Sequence, residues 1–365
     1  MVDPFLYSQP VKIYFGPGKF EALGEVLRDL GSKSCIVVAD RFVEDKAEAL
    51  RKSVPEIKAI FTGVEPNPQL GGAEKAAELA REFHADTVVG VGGGSVLDTA
   101  KFAAAIACGT ERAVRYYSGE TPFPAERLRI VTVPTTAGTG SEVTQVSVMN
   151  NGPEKKTINN PVFMASAAIV DPVLSSTVPP YTTAITGLDA MAHALEGYWS
   201  VNHQPITDIM AKEAVKLVIE NLEKAYRDGS DMNARTNMAF AALLGGLSFA
   251  LPKTAGCHAA SYPLSEDYHL PHGEGCAFTL DSFVRINNSE RLEALSRAVG
   301  MRNTEELASW IRAFKETAHL KLRLSDLGQV DLEKLAKDTA AHPLMKNNPV
   351  PMDEKACLEM FEALR

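Results

Sequence analysis

Residues 87–98 read TVVGVGGGSVLD: a β-branched run that ends in Gly92-Gly93-Gly94, with Ser95 opening a helical pattern that continues to Ile106. A continuous apolar run is what a strand covered on both faces presents. Its abrupt passage into a helix marks a βα unit. Three glycines at that junction let the backbone approach a diphosphate closely, and a helix start offers free N–H groups at its positive dipole end. A plain tight strand–helix turn fits the same residues, since the pattern is neither a Walker loop nor GxGxxG. Ser95, with Asp98 three residues on, resembles a capping arrangement.

The unit recurs on either side. Short strand-like runs stand at Lys12–Phe15, Cys35–Ala39, Ile57–Phe61, Thr87–Val91, Ile130–Val133 and Ala168–Val170. Helical patterns separate several of them, at Phe20–Leu30, Ala73–Phe83 and Val96–Ile106. This order predicts a mostly parallel, doubly wound, Rossmann-like sheet. Segments 145–149 and 156–158, around Asn150-Asn151-Gly152, read as an inserted hairpin. After Val178-Pro179-Pro180 the strand-like runs stop. Helical segments follow at Thr182–Ser200, Ile206–Tyr226, Met232–Ala250, Glu290–Val299 and Thr304–Ala318. Proline continues neither a strand ladder nor a helix interior, so the expected division is an α/β domain over 1–179 and an all-helical domain over 180–365.

The 365 residues suit two cores rather than one. Net charge is −9 with no basic block, which argues against nucleic acid as a standing partner. No apolar run approaches the length of a membrane span, and the first ten residues match neither a signal nor a transit peptide. The five cysteines form no CxxC and fit reduced thiols, so the expected compartment is the cytoplasm.

Three further features carry chemistry. The loop Pro134-Thr135-Thr136-Ala137-Gly138-Thr139-Gly140-Ser141-Glu142 follows a strand, at the edge where open α/β sheets bind ligands. Asp40 ends another strand, where a carboxylate accepts from the adenine ribose of NAD and repels the 2′-phosphate of NADP; a capping aspartate is the commoner role there. Asp189 and His193 stand four apart in a helical stretch, on one face and about 6 Å apart, which suits two ligands of one ion or an i,i+4 ion pair. Their neighbours are apolar, and an unpaired buried carboxylate is costly. The stretch KTAGCHAASYPLSEDYHLPHGEGCAF (253–278), with three of the eight histidines, is where further ligands would come from.

GVGGGSVLDTAK (90–101), PTTAGTGSEVT (134–144), AAIVDPVLSSTVPP (167–180), TGLDAMAHALEGYWS (186–200) and NNPVPM (347–352) together resemble the iron-containing, metal-dependent alcohol dehydrogenase family, over essentially the whole chain. The resemblance implies a nucleotide-binding α/β domain, a helical metal-binding domain, a substrate cleft between them, and hydride transfer between a primary alcohol or aldehyde and NAD(H). It implies Asp189, His193, His258 and His272 as ligands of one divalent ion, with Fe(II) and Zn(II) equally suited to such a donor set. Gly92, Gly93, Gly94 and Ser95 would hold the diphosphate. Thr135, Thr136, Thr139 and Ser141 would line the adenine and ribose, and Asp98 would lie near the nicotinamide. Lys155 matches a family lysine, with Lys156 the alternative. A homodimer is also implied.

Two positions depart from the common family pattern. Where many members carry a further histidine four residues after the third ligand, this chain has Tyr262, a poorer proton relay at neutral pH and equally well a wall aromatic. Lys253, five residues before His258, sits among apolar and small residues. A cation there would favour an anionic group at the far end of an aldehyde. Lys-Thr, the ligand histidine and Ser-Tyr-Pro resemble the branch that includes phosphonoacetaldehyde reductases, with sulfoacetaldehyde a close substrate analogue. His269 falls between the ligands, as a loop residue or an anion contact. The competing expectations are a dehydrogenase of a neutral alcohol or lactaldehyde, and a cyclase like 3-dehydroquinate synthase, which would need more clustered basic residues.

Overall fold

The computed structural model describes residues 4–365. One unit comprises 8–136 and 140–175; the other comprises 176–365 together with 137–139 and the described residues before Ser8.

In the first unit, β1 (Lys12–Phe15), β2 (Cys35–Ala39), β3 (Ile57–Phe61), β4 (Thr87–Gly92), β5 (Arg129–Pro134) and β8 (Ala167–Val170) form a six-stranded sheet in the order β1-β8-β5-β4-β2-β3. Every pairing is parallel. β6 (Val146–Asn151) and β7 (Glu154–Asn159) form the separate antiparallel hairpin. β2, β4 and β8 are buried along their whole length, as their unbroken apolar runs predict. Helices α1 (Leu23–Asp29), α2 (Glu44–Ser53), α3 (Leu70–Glu82), α4 (Gly94–Ile106) and α5 (Ala113–Ser118) complete the unit. α4 lies directly on β4 because β4 has glycines where it crosses. A Cβ on Gly90 would stand 2.8 Å from Ala100 Cβ, and one on Gly92 would stand 2.6 Å from Val96 Cβ.

The second unit is helical: α6 (Pro180–Trp199), α7 (Pro205–Arg227), α8 (Met232–Phe249), α9 (Gly256–Tyr268), α10 (His272–Ile286), α11 (Glu290–Ala298), α12 (Thr304–Thr317), α13 (Leu332–Ala341) and α14 (Glu354–Glu362). Pro180 opens α6 at a first-turn position, where its missing N–H costs nothing. From Gly187 to Gly197 every residue of α6 is buried, so it runs through the centre of this core. α9 and α10 were not expected as helices, since the first contains Pro263 and the second begins His-Gly-Glu-Gly. Packing overrides those weak propensities. A Cβ on Gly273 would meet Ile185 O at 2.5 Å, so the glycine lets α10 close onto α6. Among the described residues no helix is long and apolar enough to cross a membrane. All five cysteines are free.

Candidate active site

α6 supplies three polar side chains to one buried face: Asp189, His193 and, three residues on, Glu196. α9 brings His258 against them and α10 brings His272. Asp189 Oδ1 lies 3.8 Å from His193 Nδ1, 3.8 Å from His258 Nε2 and 4.0 Å from His272 Nε2. The two imidazole nitrogens His193 Nε2 and His258 Nε2 face each other at 3.0 Å. Nitrogens bound about 2.05 Å from one tetrahedral ion sit about 3.3 Å apart, so this spacing is close to that of two ligands. Asp189 is 2% exposed and its Oδ1 has no hydrogen-bond partner. A buried carboxylate oxygen facing three imidazoles is a donor set that could hold a cation. Burial lowers the His193 pKa to about 4, so its ring is neutral and its lone pair available. That ring is stacked on Phe249, with centroids 4.2 Å apart. His272 is the half-open member, at 35% side-chain exposure.

Two members of this cluster were not anticipated. Glu196, wholly buried, takes the His258 Nδ1 hydrogen bond on Oε2, while its Oε1 accepts from the backbone N–H of Cys257 at 2.7 Å and of His258 at 3.3 Å. A carboxylate behind one ring nitrogen fixes the tautomer that turns the other toward a metal. Cys276 is the second: its Sγ and donor atoms of Asp189, His258 and His272 all lie within 4.8 Å of one another.

His269 is exposed and caps α9 in the left-handed region at φ 57°, away from the ligand roles. Tyr262 packs against His342 with the rings tilted 30° and centroids 4.3 Å apart, and burial lowers the His342 pKa to about 4, so its ring is neutral. Its Nδ1 accepts from the Leu344 N–H. Lys253 ends the α8 turn at φ 69°, a conformation that costs a non-glycine residue on the order of 1 kcal/mol. Its Nζ donates to Ala250 O at 2.9 Å, and burial lowers its pKa. Among the described residues no carboxylate pairs with it.

In the α/β unit, Gly93 caps α4 with no side-chain hydrogen bond, leaving the amides of Gly94 and Ser95 at the helix start. Gly92 lies inside β4 and faces α4; its carbonyl accepts from the Thr135 N–H at 3.0 Å, and Thr136 stands beside Gly93. The expected Ser95–Asp98 cap does not form. Asp98 is drawn inward instead, accepting from Ser141 Oγ at 2.7 Å and Val148 N at 2.9 Å, and burial pushes its carboxyl above the usual range. Both oxygens of Asp98 therefore accept hydrogen bonds from the chain itself. Ser141 is tied to the same helix: its hydroxyl and carbonyl both accept from the buried ammonium of Lys101. Thr139 belongs to the helical unit. Successive strand residues face opposite sides: Lys156 is held over Tyr117, while the charge of Lys155 acts on Asp98. Asp40, at the end of β2, caps the next turn through Phe42 N and donates its own N–H to Val91 O of β4.

The description "Iron-containing alcohol dehydrogenase" matches residues 10–172, and the C-terminal model of the same family matches 183–365. The chain belongs to the iron-containing alcohol dehydrogenase family, a family of oxidoreductases. It is 34% identical to long-chain-alcohol dehydrogenase 1 of Geobacillus thermodenitrificans, over 97% of this chain and 95% of that one. It is 32% identical to sulfoacetaldehyde reductase of Bilophila wadsworthia, over 98% of each. The crystal structure of sulfoacetaldehyde reductase from Bifidobacterium kashiwanohense in complex with NAD+ superposes with a TM-score of 0.95, at 36% identity and 99% coverage of both chains.

Proposed function

We propose that this protein is a metal-dependent, NAD(H)-linked reductase of a short aldehyde whose far end carries a sulfonate or phosphonate, returning the corresponding alcohol. The observation that carries the substrate class is Lys253, a half-buried ammonium in a strained backbone conformation with no carboxylate partner among the described residues. It terminates the helix whose Phe249 covers His193, which ties its position to the ligand cluster. The similarity to two sulfoacetaldehyde reductases points the same way.

Asp189, His193, His258 and His272 would hold the metal, Fe(II) or Zn(II), which when bound supplies Lewis-acid polarisation of a carbonyl oxygen. The Gly93–Ser95 turn and Thr135–Thr136 would hold the NADH that donates hydride, and Asp40 would face its adenine ribose. The chain's own residues do the rest. Glu196 keeps the proton on His258 Nδ1, so that Nε2 presents its lone pair. Phe249 keeps water from one face of His193. Lys253 orients the anionic tail, which fixes which end of the aldehyde meets the cluster. Tyr262, four residues after His258 on α9, and neutral His342, on which the charge of His258 acts, form an aromatic wall.

A second reading has its own observation: Lys253 bonds Ala250 O at the end of α8, so the lysine serves as a helix cap and the substrate is a neutral alcohol. NADH oxidation by metal-reconstituted enzyme on sulfoacetaldehyde, phosphonoacetaldehyde, lactaldehyde and butanal separates the two. A charged hydrogen bond is worth about 1.5–3 kcal/mol, so Lys253→Ala should lower kcat/KM for the anionic aldehydes roughly 10- to 100-fold and spare butanal. Equal losses on all four substrates, or a wild-type preference for butanal, would reject the anionic assignment.

A further inference from the structure

Cys276 follows His272 by four residues on α10, so the two side chains rise from the same helix face. Its Sγ is 3.8 Å from His272 Nε2. A sulfur at about 2.3 Å and a nitrogen at about 2.05 Å from one tetrahedral ion stand about 3.6 Å apart. The observed spacing is close to that of two donors to one centre, and without an ion it is a sulfur–nitrogen hydrogen bond. A second observation is independent of the cysteine. Asp189 Oδ1, buried and without a hydrogen-bond partner, points into the same space. His193, one of the four ligands proposed above, joins the same space through His258, its Nε2 3.0 Å from His258 Nε2, so the cysteine would be a donor beside those four.

We propose that Cys276 Sγ is a direct donor to the metal, making the site a mixed nitrogen, oxygen and sulfur centre. The inference rests on the reading of this cluster as a metal site. Binding replaces the S–H bond with a sulfur–metal bond and releases one proton to solvent. A thiolate is a softer ligand than imidazole and shifts the site's preference toward Zn(II) and Co(II) over hard, oxygen-seeking ions. It also exposes the site to oxidation, since peroxide converts the sulfur to a sulfenic acid and removes the donor, with water as the other product.

The test is optical and does not depend on turnover. Protein stripped by chelator is loaded with one equivalent of Co(II), bound metal is counted by atomic absorption, and the near-ultraviolet is scanned for sulfur-to-cobalt charge transfer. Wild type is expected to show the band, and Cys276→Ser and Cys276→Ala to lose it while still binding cobalt. Cys257→Ser, a change at the other buried thiol close to Glu196, is expected to keep it. Stoichiometric cobalt with no charge-transfer band in wild type would overturn the proposal and leave the metal-site reading standing. So would a band that survives both Cys276 changes. Failure of wild type to bind cobalt at all would overturn both. If one Cys276 variant fails to fold, the other carries the comparison, and absence of the band in wild type overturns the proposal by itself.

Discussion

Glu196 is a charged side chain with no solvent exposure, and all its visible partners are donors on the segment that carries His258. An ionised carboxylate in that place is costly unless the ring it serves shares charge with a cation. Its substitution should therefore register on the metal before it registers on the fold. Glu196→Gln keeps shape and one acceptor but removes the charge, and outer carboxylates of this kind are worth about 10–100-fold in metal affinity. Competitive chelator titration should show that loss, with the melting temperature of the metal-free protein nearly unchanged. An unaltered affinity would reduce Glu196 to a backbone anchor. The sequence made part of this cluster legible: Asp189 and His193 share one face of a single apolar helix, while Glu196, on the same face, was not singled out. Their partner on the third side is 62 residues away from Glu196, and no periodicity connects them. Cys276 was hidden for a related reason, because its proximity to Asp189 exists only once α10 has closed onto α6.

Within α4, Lys101 is the residue on which the element's second function depends. It is fully buried, and its Nζ donates to the carbonyls of Ser141, Thr144 and Val146 and to Ser141 Oγ, beside Asp98 at 3.9 Å. One ammonium thus holds the loop after β5 and the start of the hairpin against the glycine-headed helix. Lys101→Met removes every donor and leaves a buried carboxylate uncompensated, a change that costs about 3–5 kcal/mol. Scanning fluorimetry should show a melting temperature lower by roughly 10 °C. NADH titration should show weakened binding, because the loop beside Gly93 loses its anchor. Native affinity in a destabilised variant would separate this loop from the nucleotide. β-Branched runs marked the strands here to within a residue or two, since burial on both faces leaves its trace in composition. α9 and α10 left no such trace. Their glycines and Pro263 weaken helix propensity, and the contacts that compensate, such as Gly273 against Ile185 O and Gly256 against the Phe283 ring, come from elsewhere in the chain.

At the scale of the molecule, the alternation of strand and helix and the Pro179-Pro180 break told of a parallel sheet followed by helices, but chain order could not tell that Ala137–Thr139 belongs with the helical unit. The substrate preference is also a property of the whole chain, and pH reads it out. In the proposed function Lys253 is the attracting group, and its charged form is the acid form. Burial lowers its pKa from the ordinary 10.5. Attraction for an anion is therefore complete at low pH and is lost as pH rises through a value below 10.5. A sulfonate stays ionised across that range, so any titration belongs to the enzyme. The ratio of KM for sulfoacetaldehyde to KM for butanal cancels changes common to both substrates, such as those in metal and nucleotide binding. That ratio should climb with pH in wild type and stay flat in Lys253→Arg, whose guanidinium remains charged throughout. A flat wild-type ratio up to pH 10.5, or an arginine variant that climbs with it, would show that the tail is held by something other than Lys253.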